Sequence, residues 1–106
     1  RVCENLSTLN LWSNSILDLG AGLLSLTLRP NPEGVLGLRG LRSLNIAYNG
    51  ITDIGAGSFA KVLRENSTLE TLDLSNNDLG SEGVRGLTEA LAFNSSVTRL
   101  VLNPKP

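Results

Sequence analysis

The chain has no histidine and a single cysteine, Cys3. Without an imidazole there is no Ser/His/Asp or Cys/His constellation. The His/Cys ligands of a tetrahedral metal site are missing, and a lone cysteine cannot close an internal disulfide. Cys3 reads as a small residue near the start of the chain rather than a reactive thiol. Net charge is equally scarce, since nine basic and ten acidic residues leave −1 over 106 residues. No global field therefore favours nucleic acid or an anionic membrane. No apolar run approaches a membrane span, and no segment combines the charged start, apolar middle and small-residue cleavage site of a signal peptide. The glycines match neither GxxxxGK(S/T) nor a GxGxxG between strand and helix, so nucleotide binding has no support. Composition thus predicts a soluble, cytoplasmic domain with no catalytic, cofactor-binding or metal-binding residues. At this length it is one small domain, not two.

What the sequence does contain is a repeat. LRSLNIAYNGI begins at Leu41, LETLDLSNNDL at Leu69 and VTRLVLNPK at Val97, two successive spacings of 28 residues. All fit LxxLxLxxNx(I/L) in whole or part, and a fixed period in this range marks a solenoid. ENLSTLNLWSNSI supplies an earlier unit, with Leu6, Leu9, Leu11, Asn14 and Ile16 in the same slots as Leu41, Leu44, Ile46, Asn49 and Ile51. Leu9 and Leu11, two apart, point one way from a short strand while Asn10 and Trp12 point the other. One coil cannot bury that apolar face alone, whereas stacked coils cover one another. Asn14, Asn49 and Asn77 recur where the chain turns inward, and a side-chain amide there can satisfy backbone groups that lack a sheet partner.

The second half of each unit reads as a helix. DLGAGLLSLTLRPN, DIGAGSFAKVLREN and SEGVRGLTEALAFN share their punctuation. Asp18, Asp53 and Ser81 stand where an N-cap is wanted, followed by Gly20, Gly55 and Gly83, where a missing side chain lets helices approach. Phe59, Val62 and Leu63, matched by Leu87, Ala90 and Leu91, form a buried stripe. Asn31, Asn66 and Asn94 are expected to close the helices in the left-handed conformation.

The strand signature, the period and the helical half GAGSFAKVLREN together resemble leucine-rich repeats of the ribonuclease-inhibitor subtype, as in NOD-like receptor C-terminal regions and Ran GTPase-activating proteins. The resemblance implies an α/β class fold: a right-handed horseshoe segment with a parallel sheet on its concave face and helices on its convex face. The repeats fall at about 6–40, 41–68, 69–96 and, in part, 97–106. The first is seven residues longer than the period, and the aligned helices place the excess in PEGVLGL, 32–38. A competing register exists, because Leu23, Leu26, Leu28 and Asn31 also spell LxxLxLxxN. It would give units too short for this class. The fourth asparagine slot holds Lys105 between two prolines, and neither end has a polar capping unit, which suggests part of a longer array.

Three sequons occur, at Asn5, Asn66 and Asn94; two of them fall on one repeat slot, where Asn ends the helix, and with no signal peptide and no disulfide framework the structural explanation is preferred to glycosylation. Asp73 and Asp78 are explained as strand and turn residues rather than an acid/base pair. What remains for function is surface. Thr8, Asn10 and Trp12; Ser43, Asn45 and Ala47; Thr71, Asp73 and Ser75; and Arg99, Val101 and Asn103 should stack into outward rows on the concave face. Trp12 has Tyr48 on the turn one repeat on, and Asp73 is one coil from Arg99. Trp12, Asn45, Tyr48, Asp73 and Arg99 are accordingly the candidate partner-binding residues, since Trp, Tyr and Arg dominate binding hot spots. The expected function is to bind a protein partner as a scaffold or sensing module; regulation of a small GTPase, or a structural part in a large intracellular assembly, is the rival.

Deleting residues 32–38 restores the period and removes no ladder residue. The deletion variant should stay folded, with at most a modest loss in thermal melting; unfolding would place that segment in the core.

Overall fold

A computed structural model describes residues 7–29 and 40–103. Asn31, the 32–38 insertion, Lys105, Cys3 and the Asn5 sequon lie outside the described residues.

Strand and helix alternate: β1 (Thr8–Asn10), α1 (Leu17–Leu26), β2 (Ser43–Asn45), α2 (Asp53–Leu63), β3 (Thr71–Asp73), α3 (Ser81–Leu91) and β4 (Arg99–Val101). The strands form one parallel sheet in the order β1-β2-β3-β4. Leu9 pairs with Leu44, Leu44 with Leu72 and Leu72 with Leu100, so the register follows the leucine template across all four strands. Parallel strands need crossovers, and each helix is one. Leu23 and Leu26 lie within α1, which removes the competing shorter register.

The core fills the space between sheet and helices. Leu44, Ile46, Ile51, Leu72 and Leu74 from the strand side meet Ala21, Ala56, Phe59, Leu63, Leu87 and Ala90 from the helices. Leu9, Leu11 and Leu24 of the first coil, and Leu100 and Leu102 of the last, are only partly buried, as the two outer layers of a stack must be.

The inward turn explains why asparagine recurs. Asn49 Oδ1 accepts from the Asn14 and Ile16 amides, and its Nδ2 donates to the Leu11 and Ala47 carbonyls. One coil later, Asn77 does the same for the Asn49 and Ile51 amides and the Ile46 and Leu74 carbonyls. Each of these side chains therefore serves its own turn and that of the preceding coil, and both are buried. Asn14 has no preceding coil among the described residues; it is exposed, and its side chain donates to the Trp12 carbonyl of its own turn.

The helix ends differ from the sequence expectation. Asp18, Asp53 and Ser81 are first-turn residues, and the N-caps are Ile16, Thr52 and Gly80. The two aspartates cap the next helix instead. Asp18 accepts from the Thr52 and Gly55 amides and from the Thr52 hydroxyl, and Asp53 accepts from the Gly80 and Gly83 amides. Gly55 is glycine for this reason, since a Cβ there would lie 2.6 Å from Asp18 Oδ1 and 3.1 Å from the Ala21 Cβ. At the other end, Asn66 and Asn94 close the helices through their side chains, not by adopting the left-handed conformation. Asn66 donates to the Leu28 carbonyl and accepts from the Thr68 and Leu69 amides. Asn94 donates to the Leu63 and Asn66 carbonyls and accepts from the Ser96 and Val97 amides.

No helix among the described residues is long and apolar enough to cross a membrane.

Two predictions follow from these inter-coil bonds. Asn49→Ala strands several buried backbone groups, each worth roughly 1 to 3 kcal/mol, whereas Asn45→Ala removes one partly buried bond. Asn49→Ala should therefore lower the melting temperature distinctly more; equal melts would refute the assigned turn. For Asp18, burial raises the carboxyl pKa, but hydrogen bonds from the Thr52 hydroxyl and the Thr52 and Gly55 amides outweigh it and hold the pKa below the ordinary value. A depressed folded-state pKa contributes stability that is present above the unfolded value of about 3.9 and lost as pH falls through the folded one. Urea midpoints of the native chain should drop below about pH 4, and Asp18→Asn should be weaker at neutral pH yet lose less on acidification.

Candidate binding face

The outward side of the sheet is built from three rows. The first holds Thr8, Ser43, Thr71 and Arg99 in pairing register, and the second Asn10, Asn45, Asp73 and Val101. Alternation along a strand puts them opposite the leucine ladder. Ser43, Asn45, Thr71, Asp73, Arg99 and Val101 line a shallow hollow of about 320 Å³ over the last three strands. Its floor is polar and partly self-satisfied, because the Thr71 hydroxyl donates to Ser43 Oγ at 2.7 Å.

The second row ends each strand in the same way. Asn10, Asn45 and Asp73 accept through Oδ1 from the backbone amide two residues on, at Trp12, Ala47 and Ser75. These Asx turns, which the repeat template did not reveal, use one side-chain oxygen each and leave Asn10 Nδ2, Asn45 Nδ2 and Asp73 Oδ2 without a bond among the described residues. The third row departs from the sequence reading. Trp12 is exposed, but Ala47 and Ser75 are buried, so in the middle coils the outward pattern ends with the strands.

Tyr48 follows, and its backbone is unusual. It has φ +58°, and its counterparts in the neighbouring coils, Ser13 and Asn76, have φ +58° and +59°. Asn and Ser tolerate the left-handed region, whereas a large aromatic there is uncommon. The Tyr48 ring meets Trp12 edge to face with centroids 5.5 Å apart. Both remain substantially exposed, Trp12 at 55% and Tyr48 at 43%. The pair therefore makes an aromatic rim without being absorbed into the core.

Arg99 sits opposite Thr71 rather than Asp73. Asp73 and Arg99 do not form an ion pair; the ion pairs among the described residues are Arg42–Glu70 and Arg85–Glu82. Arg99 is exposed, and its guanidinium has no ion-pair partner among the described residues. Trp12 and Tyr48 thus cluster on the first two coils, Asn45 and Asp73 share the central hollow, and Arg99 closes its far edge. No cluster of three or more His, Cys, Asp or Glu among the described residues could hold a metal ion. The face offers donors, acceptors, a cation and two ring edges, which suits recognition of another surface.

A family model described as Leucine Rich repeat matches residues 39–60 and 65–87. Among solved structures, the chain is similar to leiomodin-1 actin-binding site 2, with a TM-score of 0.84 at 20% sequence identity, over 98% of this chain and 57% of that one. The chain therefore spans a little over half the length of that structure. No curated protein matches it in sequence. The parallel sheet, its helical crossovers and these likenesses identify the fold as a leucine-rich repeat solenoid.

Proposed function

We propose that this chain is a protein-binding module, not an enzyme, and that its partner docks on the concave sheet face. The observation that carries the proposal is Tyr48. A bulky residue occupies a left-handed turn position where its counterparts are Ser13 and Asn76, and its ring stands with Trp12 in solvent at the edge of the face. Backbone strain of this kind persists where a side chain is needed for something other than folding. Trp12 and Tyr48 would act as aromatic anchors, Arg99 as a charged anchor, and Asn45 and Asp73 as polar contacts between them. Solenoids commonly bind through such concave surfaces.

The strand-helix coils of 28 residues support the ribonuclease-inhibitor-like subtype. In this reading the repeats at 6–40, 41–68, 69–96 and 97–106 belong to a longer cytoplasmic array serving as a scaffold or sensor. The similar solved structure is described as an actin-binding site, so actin is the first partner to measure.

For the partner so found, Trp12→Ala, Tyr48→Ala and Arg99→Ala should each weaken binding by about fivefold or more, roughly 1 kcal/mol, in titration calorimetry. Glu89→Ala, on the helical side, should leave affinity unchanged. Circular-dichroism melts establish that each variant is folded. Loss of binding in Glu89→Ala with none in the strand-face variants would refute the concave site. Acceleration of GTP hydrolysis by an added small GTPase would instead make the chain a GTPase regulator.

A further inference from the structure

The helical face departs from its own repeat in the first coil. Leu19, Leu23 and Leu26 of α1 are 78%, 60% and 54% exposed, and their i, i+4, i+7 spacing sets them in one stripe. The aligned residues are Ile54, Ser58 and Lys61 on α2, and Glu82, Gly86 and Glu89 on α3. The surface therefore runs from apolar to mixed to acidic across three helices built on one template. Ile54, 74% exposed, extends the apolar end. None of these side chains serves the core, which α1 contacts through Ala21 and Leu24, with Leu28 just beyond its end.

The stripe runs into a groove. Between α1 and α2 lies a cleft of about 520 Å³, whose wall includes Leu26 of the stripe and whose rim carries Arg29, Lys61 and Arg64 against a single Glu65. All three cations are exposed, and none makes an ion pair among the described residues. Arg64 is held over the Phe93 ring at 4.5 Å, with Phe93 itself 66% exposed. Lys61 stands in the last turn of α2, and Arg29 and Arg64 follow the ends of α1 and α2, so the cations gather where the two helices end.

We infer that this convex surface of the first two coils is a second docking site, and that its occupant is an acidic amphipathic helix from a partner protein. The leucine stripe is two helical turns long and matches the i, i+3/i+4, i+7 anchors by which a helix lies in a groove. The three cations at one end of that stripe complement carboxylates at one end of the incoming helix. An anionic membrane is the less favoured occupant: Glu82 and Glu89 project from the same helical layer and would be pressed against lipid phosphates, and the net charge is −1. The site is separate from the concave face and stands or falls independently of it.

The test uses a fluorescein-labelled synthetic helix with leucines along one side and glutamates at one end, measured by anisotropy against the 106-residue chain. A control peptide carries lysine in place of glutamate. The expected result is saturable binding of the glutamate peptide only, weakened by added salt, and about tenfold weaker or worse in Leu23→Glu, Lys61→Glu and Arg29→Glu. Trp12→Ala should bind normally. Melts check folding, and the charge variants carry the test should Leu23→Glu not fold. No saturable binding, equal binding of the lysine peptide, indifference to the variants, or association with phosphatidylserine vesicles alone would each overturn the inference.

Discussion

The structure depends on polar groups that one coil supplies to another. A solenoid must turn its backbone at both ends of every strand, and each turn takes amides and carbonyls out of the sheet without returning them to water. Asn49 and Asn77 meet that demand at the inward turn, Asn66 and Asn94 at the helix exit, and Asp18 and Asp53 at the helix start. In every case some of the bonds run to an adjacent coil. The apolar ladder supplies most of the driving force, but it is non-directional and would tolerate slippage. The side-chain bonds hold the 28-residue register, because a shifted coil would leave buried groups without partners.

Much of this was legible in the sequence, for a physical reason. Leucine at alternate positions and asparagine at a fixed offset are required by burial in every coil, so they recur and the recurrence can be counted. The strand register, the helices and the buried stripe through Phe59, Val62 and Leu63 all come from that periodicity. What was not legible is where a side chain reaches. Asp18, Asp53 and Ser81 share a helix-start position, and a cap on their own helix was the local explanation. The carboxylates instead extend to the following helix, a distance that no linear spacing encodes. The glycine two residues into the helix was the available signal: Gly55 and Gly83 clear space for a neighbour's carboxylate, and Asp18 and Asp53 are the residues in reach.

The geometry of the outward sheet face was legible in outline and wrong in detail for similar reasons. Alternation placed Asn45, Asp73 and Arg99 on the outward side, and the parallel pairing sets them in rows. Alternation ends with the strand, however: Ala47 and Ser75 are buried, although Trp12 after the same kind of Asx turn is exposed. The parallel register also sets Arg99 across from Thr71, which is why proximity in the repeat did not become an ion pair with Asp73.

A repeat makes its own control for function. At any slot, the residue that burial, turn geometry or capping demands should appear in every coil, and a coil that departs from it must be answering another requirement. Ser13 and Asn76 suit a left-handed turn, and Tyr48 in the same conformation does not. Glu82 and Glu89 suit a solvated helix, and Leu19 and Leu26 in the aligned slots do not. Both departures leave large apolar groups in solvent at a site where the fold gains nothing from them. They also lie on opposite sides of the same two coils, one at the sheet rim and one on the helices. The asymmetry puts both departures in the first two coils, while the helix of the third coil, with Gly80, Gly83 and a polar face, keeps closest to what the solenoid alone requires.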